Sequence, residues 1–232
     1  MSNINIYHFS DTHGFHKEIP TSMFKDIDIV VFTGDAANSK NEQINLLELK
    51  SFVGWYKNVP VKHKIFVAGN HDVCIQKELF TKADFEEAGI VYLEDSYVEI
   101  EGLKIYGTPY TPAYFDWAFQ MPREDMSKVW DAVPEDTDIL LTHGPPLNIF
   151  DAYADDWGGI THVGDRTLGN LIVYRGGGIR AVCFGHIHSN EWVINAGIMK
   201  HSIGDIIYSN GSCVTDEYFA QGLTSFGNLI KL

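Results

Sequence analysis

The residues able to do chemistry gather at the ends of five short apolar runs. Asp11 and His13 follow "INIYHFS", Asp35 follows "DIVVFTG", and Asn70, His71 and Asp72 close "KIFVAGNHD". His143 follows "DILLT", and His186 and His188 follow "AVCFG". Asp, Asn and His are seldom buried without a partner, so packing alone is a poor reason for five run ends to carry them. Imidazole nitrogen, carboxylate and amide oxygen without thiolate suit hard or borderline divalent ions, Mn first and then Fe, Zn, Co, Ni or Mg. More donors are present than one tetrahedral zinc takes. Two divalent ions are therefore expected, in the arrangement that clamps the attacking and leaving oxygens of a phosphoryl transfer. Read alone, "CFGHIHS" stays ambiguous. On a continued strand His186 and His188 project to one side and Ile187 to the other, which suits a metal pair or two hydrogen-bonded histidines equally.

The elements that must position these residues follow from the same runs. With "LKIYGTPYTP" and "IIYSNGS" they are stretches rich in Ile, Val and Phe that stop at Gly, Pro or polar clusters, the pattern of strands buried on both faces. Sites in such sheets form beyond the carboxyl ends of strands. Residues 41–57 place Ile44, Leu47, Leu49, Phe52, Val53 and Tyr56 at near-helical spacing, and 74–88 and 164–175 are weaker helices. Strands alternating with helices near the start, then consecutive strands over 90–107, predict a mixed α/β sandwich with two sheets packed together and helices outside. No linker, repeat or low-complexity stretch interrupts residues 1–232, so one domain is expected. The aromatic-rich segment 110–138, with Tyr114, Phe115, Trp117, Phe119 and Trp130, reads as a helix-bearing insertion that packs its aromatics on the core rather than as a lid. Gly34, Gly69, Gly144 and Gly185 read as tight-turn residues beside the ligands. "YRGGGIR" lacks the Walker pattern and reads as a flexible turn, and "SNGSC" as a tight turn.

The ordered set Asp-x-His, Gly-Asp, Gly-Asn-His-Asp, His-Gly-Pro-Pro and Gly-His-Ile-His resembles the calcineurin-like metallophosphoesterase superfamily. "IYGTPYTPAYFDWAFQMP" followed by "DILLTHGPPLNIFD" resembles the branch of metallophosphoesterase-domain proteins related to class III cyclic-nucleotide phosphodiesterases. That resemblance implies a four-layer α/β/β/α sandwich. It also implies that Asp11, His13 and His188 hold one metal, that Asp35 bridges, and that Asn70, His143 and His186 complete the second. His71 would protonate the leaving oxygen or contact phosphate, a task suited to an imidazole that titrates near neutrality. Asp72 either orients His71 or caps a helix beginning near Val73. The sequence "GDAANSK" and "GNHD" departs from the protein serine/threonine phosphatases of the superfamily. Some members of the branch carry Gly in place of the first His of Gly-His-x-His, whereas His186 is present here.

The implied activity is phosphodiester hydrolysis of a small nucleotide-like or cyclic nucleotide ester by a metal-bridging hydroxide, with Tyr110, Tyr114 or Trp117 available to stack a base. The alternatives are a phosphomonoesterase or nuclease on the same metals, or a non-catalytic scaffold of the same fold. A net charge of −14 over 232 residues disfavours nucleic acid and leaves phosphorylated small molecules open, because cations can cancel carboxylates locally. No run is long and apolar enough to span a membrane, and "MSNINIYHFSD" lacks the features of a signal peptide, so a cytoplasmic protein is expected. Cys74, Cys183 and Cys213 suggest neither disulfide nor zinc site. His8, His16, His63, His162 and His201 fall outside the motifs and read as structural.

Overall fold

The computed structural model describes residues 3–155, 157–175, 178–201 and 204–232. In chain order the strands are β1 (Asn5–Phe9), β2 (Ile29–Thr33), β3 (His63–Val67), β4 (Val91–Tyr92), β5 (Ser96–Ile100), β6 (Leu103–Thr108), β7 (Thr111–Pro112) and β8 (Gln120–Met121). They continue as β9 (Ile139–Thr142), β10 (Ala152–Ala154), β11 (Ile160–His162), β12 (Ala181–Phe184), β13 (Gly197–Lys200), β14 (Ile207–Asn210) and β15 (Asn228–Lys231). The first sheet has the order β15-β1-β2-β3-β4 and the second β13-β14-β12-β9-β6-β5. The first is parallel except for the edge strand β15, antiparallel on β1, and the second has a parallel centre with antiparallel edges, β13 on β14 and β5 on β6. The five runs that end in candidate ligands are β1, β2, β3, β9 and β12.

Period-2 alternation sorts each strand between two cores. Ile29, Val31, Ile65 and Val67 of the first sheet meet Ile105, Ile139, Leu141 and Cys183 of the second, forming the layer between the sheets. Their neighbours Val30, Phe32 and Phe66 point the other way, onto Leu49, Phe52 and Tyr56 of helix α1 (Glu42–Tyr56). On the far side Tyr106, Leu140, Val182 and Phe184 pack against α4 (Met126–Asp131) and α5 (Arg166–Tyr174), through Trp130, Leu168 and Ile172. Helices, sheet, sheet and helices make the four layers expected. Each Val, Ile or Phe so buried contributes about 1.5–3 kcal/mol relative to exposure.

Three helical expectations change in detail. Helix α1 starts where expected, with the Asn41 side chain accepting from the amides of Gln43 and Ile44. Its buried face is Asn45, Leu49, Phe52, Val53 and Tyr56, while Ile44 and Leu47 are exposed, so the apolar stripe begins a turn later. Residues 74–88 form two short helices, α2 (Val73–Gln76) and α3 (Lys82–Glu87), because Glu78 takes a φ of 55° and interrupts the helix. Helix α5 matches 164–175, capped by the Asp165 side chain on the Leu168 amide. The turn expected over 174–180 lies in part outside the described residues, at 176 and 177.

The sheets are joined at the ends that matter by "SNGSC". Ser10 N donates to Gly211 O at 2.8 Å, Gly211 N to Phe184 O at 2.8 Å, and Cys213 N to Ser10 O at 3.0 Å. A segment read as a turn thus ties the end of β1 to the end of β12. His8 lies fully buried beside this join, its ring nitrogens 2.7 Å from Ser209 Oγ and 2.9 Å from Thr33 Oγ1, a structural histidine as expected. All three cysteines are free and buried.

Candidate metal centre

Where the five parallel strands end, backbone conformation is unusual. Asp11, His13, Asp35 and His186 have φ of 51°, 42°, 61° and 68°, left-handed values that cost L-residues about 1–2 kcal/mol each. Four such residues among the seven candidate ligands mark a site whose geometry is imposed by its surroundings. Hydrogen bonds impose it: Asp11 N donates to Gly34 O at 2.8 Å, His13 N to Asp35 O at 3.0 Å, and Gly185 N to His143 O at 2.8 Å. The strand-end picture of "CFGHIHS" changes accordingly. Strand β12 stops at Phe184, and His186 is separated from His188 by a left-handed turn rather than by the pleat of a continued strand.

Two of the glycines are required by close approach rather than by turn geometry. A Cβ on Gly69 would overlap Asp35 Oδ1 and the Asp35 amide, and one on Gly185 would overlap Asp11 Oδ2 and Ser10 Oγ. These loops are packed backbone against ligand.

The side chains form a chain of overlapping groups. Asp11, His13 and His188 make one end and Asp35, His143 and His186 the other, and His13, Asp35 and His71 join them, each group with its candidate ligand atoms within 4.8 Å of one another. Asp35 Oδ2 lies 3.8 Å from His13 Nε2 and 3.4 Å from His143 Nε2, so one oxygen faces both clusters. Its other oxygen accepts from the His71 amide at 2.7 Å. His188 Nε2 stands 3.3 Å from Asp11 Oδ1, and Asn70 Oδ1 stands 2.9 Å from His143 Nε2. Donors bound to one ion at 2.0–2.2 Å stand roughly 3–3.6 Å from each other, which these spacings approach. All seven sequence-derived ligands converge.

The donor set also suits a cation. His143 Nδ1 is 2.7 Å from Thr33 O, and because a carbonyl only accepts, Nδ1 carries the proton. Nε2 faces two acceptors, Asn70 Oδ1 and Asp35 Oδ2. Burial lowers His143 but the Asp35 carboxylate outweighs it and pushes it up to about 9, so without a metal Nε2 holds a proton between these oxygens, a place that a cation would take. Burial also raises Asp35, yet His143 and His71 hold it well below the usual carboxylate range. His13 and His186 are driven down to about 3 by burial and stay neutral, the form that ligates metal. His13 is buried, and neither of its ring nitrogens has a hydrogen-bond partner among the described residues. Its ring stacks on Tyr218, at a centroid distance of 4.5 Å and 16° between planes. A divalent ion would satisfy these atoms, and the residues present fit one on either side of Asp35.

The supporting contacts were mostly invisible in the sequence. Asn195 Nδ2 donates to His188 O at 2.7 Å and to Ala152 O at 2.8 Å, pinning the His188 loop. Asp216 Oδ1 stands 3.7 Å from His188 Nδ1, too far for a hydrogen bond, and its charge helps raise the basicity of the ring. Tyr218 OH donates to Asn38 Oδ1 at 3.0 Å. Asn195, Asp216 and Tyr218 sit outside every motif, and nothing local in the sequence marks them, although Asn195 is only seven residues from His188.

Asp72 takes neither of the roles expected of it. Its side chain makes no cap bond on α2, and His71 Nδ1 is instead 3.2 Å from Asn38 O. The Asp72 carboxylate is wholly buried and accepts from three amides: Asp35 at 3.0 Å, Ala37 at 3.0 Å and Gly69 at 2.8 Å. It therefore holds the loops carrying Asp35 and Asn70. Burial and the Asp35 charge push its carboxyl up to about 7, against amide donors that favour the anion.

Beside His186 and His188 opens a cleft of about 370 Å³ walled by Tyr114, Tyr153, Ile187 and Arg123. The Arg123 guanidinium donates to Val163 O at 2.8 Å and Gly164 O at 3.2 Å. Of the three aromatics expected near a substrate, Tyr114 faces this cleft, Tyr110 packs on Phe119 at 6.1 Å, and Trp117 lies on His71 at 3.9 Å. The insertion is thus divided. Phe119 and Trp130 are buried as expected, while Tyr114 and Phe115 are exposed.

Comparison with known proteins agrees with this geometry. The chain is 32% identical over 194 residues to human metallophosphoesterase domain-containing protein 1, covering 74% of this chain and 56% of that one. It is 31% identical over 189 residues to probable rhamnogalacturonate lyase C of Emericella nidulans, covering 77% of this chain and 16% of the lyase. The chain therefore spans about half of one relative's length and a small part of the other's. NAD nucleotidase of Haemophilus influenzae shares the fold, with a TM-score of 0.50 and 12% identity over 90% of this chain and 50% of that one. The family model for calcineurin-like phosphoesterase matches residues 4–190, every candidate ligand included, and the chain belongs to that family.

Proposed function

We propose that the chain is a phosphoesterase that uses two divalent ions, Mn foremost, and prefers a phosphodiester of small, nucleotide-like size. The observation that carries this reading is Asp35 Oδ2, a single oxygen facing His13 on one side and His143 on the other. Two cations bound there acidify water and neutralise charge on the phosphoryl oxygens. Asp11, His13 and His188 hold one ion, Asn70, His143 and His186 the other, and Asp35 both. The supporting shell keeps this arrangement rigid: Thr33 O accepts from His143 Nδ1, and Asn195 holds the backbone of His188.

His71 is the proton donor to the leaving oxygen. With Nδ1 on Asn38 O, Nε2 is its free nitrogen, and the ring lies within 4.8 Å of the His13 and Asp35 donors. Asp72 positions the Asp35 loop and does not touch the substrate. The cleft beside His186 and His188 has room for an ester substituent, which favours a diester or nucleotide over a bare phosphate monoester. The net charge of −14 argues against long nucleic acids.

The test is hydrolysis of mono-, di- and cyclic phosphate esters by the Mn-loaded chain, with Asp35→Asn as the control. Diester cleavage that Asp35→Asn abolishes is the expected result. Faster cleavage of monoesters overturns the diester preference, and absence of any hydrolysis overturns the enzymatic reading.

A further inference from the structure

Trp117 is accounted for neither by the metal ligands nor by the hydrophobic cores. Its ring centroid lies 3.9 Å from that of His71 with 30° between the planes. Lys40 Nζ sits 4.0 Å from the Trp117 ring centroid, a cation–π contact, and donates to Asp116 O at 3.2 Å. On the other side of Trp117 in sequence, Ala118 N donates to Asn70 O at 3.1 Å and Phe119 is buried. The tip of the insertion is therefore tied to the strand end that carries His71, and Trp117 is held against the imidazole.

His71 needs such a support. Its backbone is fixed by Asp35 Oδ1 on its amide and by Asn45 Nδ2 on its carbonyl at 2.7 Å. Among the described residues the ring has one hydrogen bond, from Nδ1 to Asn38 O, and meets the His13 ring edge-on at 4.8 Å. One hydrogen bond leaves a half-buried ring free to tilt about it. A stacked indole removes that freedom.

We propose that Trp117, braced by Lys40, is the positioning residue for His71 and holds Nε2 toward the leaving oxygen; this rests on the reading of His71 as proton donor given above. In that step the water oxygen forms the new bond to phosphorus and sheds a proton to solvent. The bond from phosphorus to the leaving oxygen breaks with its electron pair on that oxygen, which takes the Nε2 proton of His71. His71 then regains a proton from water. Proton donation matters in proportion to the basicity of the leaving oxygen: an alkoxide needs the proton, and a 4-nitrophenolate leaves with little help. Trp117 therefore governs which esters the site can cleave.

The test compares wild type, Trp117→Ala and Trp117→Phe, each with its metal content measured, on methyl phosphodiesters whose second group is 4-nitrophenyl, phenyl or alkyl. Trp117→Ala is expected to slow the 4-nitrophenyl ester less than about tenfold and the alkyl ester about 10²-fold or more, and Trp117→Phe to restore most of the loss. In the metal-free chain the His71 ring-proton resonance, assigned with His71→Gln, is expected to lose an upfield ring-current shift in Trp117→Ala. Equal losses on all three esters, a rise in KM with kcat retained, or an unmoved His71 resonance each overturn the proposal. A wild type inactive on every ester overturns the phosphoesterase reading itself, whereas an active wild type with unaltered leaving-group dependence in Trp117→Ala overturns the role of Trp117 alone.

Discussion

Replacing Asp72 separates a loop-holding carboxylate from a catalytic one. Its Oδ2 accepts from Asp35 N and Gly69 N, and its Oδ1 from Ala37 N, all out of contact with water. Hydrogen bonds to a charged group contribute about 1.5–3 kcal/mol each, and a stranded buried amide costs about 1–3 kcal/mol. In Asp72→Asn one oxygen can still serve two amides, but the new NH₂ group faces the third, donor against donor. The expected loss is about 2–4 kcal/mol, and about 3–5 kcal/mol in Asp72→Ala, where three amides are stranded and part of the cost is regained by removing a buried carboxylate. Against a domain stability of about 5–15 kcal/mol this is large, and it lowers Tm by roughly 5–15 °C in a chain of this size. Urea unfolding and Mn titration of the same variants supply the assay. Asp35 N is one of the held amides, so weaker metal binding should accompany the lost stability, while kcat at saturating metal falls less than metal affinity does. An Asp72→Asn protein as stable as wild type within about 0.5 kcal/mol, inactive yet binding metal normally, would place Asp72 in the chemistry and refute this reasoning.

Gly185→Ala drives a methyl into Asp11 Oδ2 and Ser10 Oγ, and is expected to cost about 1–3 kcal/mol and to weaken the ion held by Asp11, measured by unfolding and by metal titration. His186→Gly removes a donor from one cluster only, so metal analysis should show one ion weakened and the His13 ion retained. For acid stability, burial drives His8 down to about 3 from an ordinary 6.5, so between those values the unfolded chain binds the extra proton. The stability tied to a neutral His8 is present in full above pH 6.5 and is lost as pH falls toward 3, by up to about 1.4 kcal/mol per pH unit. Urea unfolding across that range should show a shallower slope in His8→Asn than in wild type.

Much of the fold was legible because strand periodicity and strand ends are local signals. The alternation of Ile29, Val31 against Val30, Phe32 assigns two buried faces, and hence a strand between two layers, from four consecutive residues. The candidate ligands were legible for a related reason, since each stands within a few residues of its strand. Long-range support was not. Asn195, Asp216, Tyr218 and the "SNGSC" join reach the centre only after the second sheet has formed, and their residue types are ordinary surface types. Asp72 was misread because an acidic residue before a helix is a common cap, and only burial shows that its oxygens are taken by amides from loops 37 and 35 positions upstream and 3 positions away. Ile44 and Leu47 share the helical spacing, yet that turn meets the protein through buried Asn45 and through Leu46, which leaves both outside.

The central claim is that two metal ions sit side by side across Asp35. Electron paramagnetic resonance of the Mn-saturated chain, with metal content measured on the same sample, tests it most directly. Ions about 3.5–4 Å apart give an exchange-coupled multiline spectrum at two Mn per chain, and Asp35→Asn should abolish the coupling. A spectrum of isolated Mn at one ion per chain, or a coupled spectrum that survives Asp35→Asn, would contradict the account.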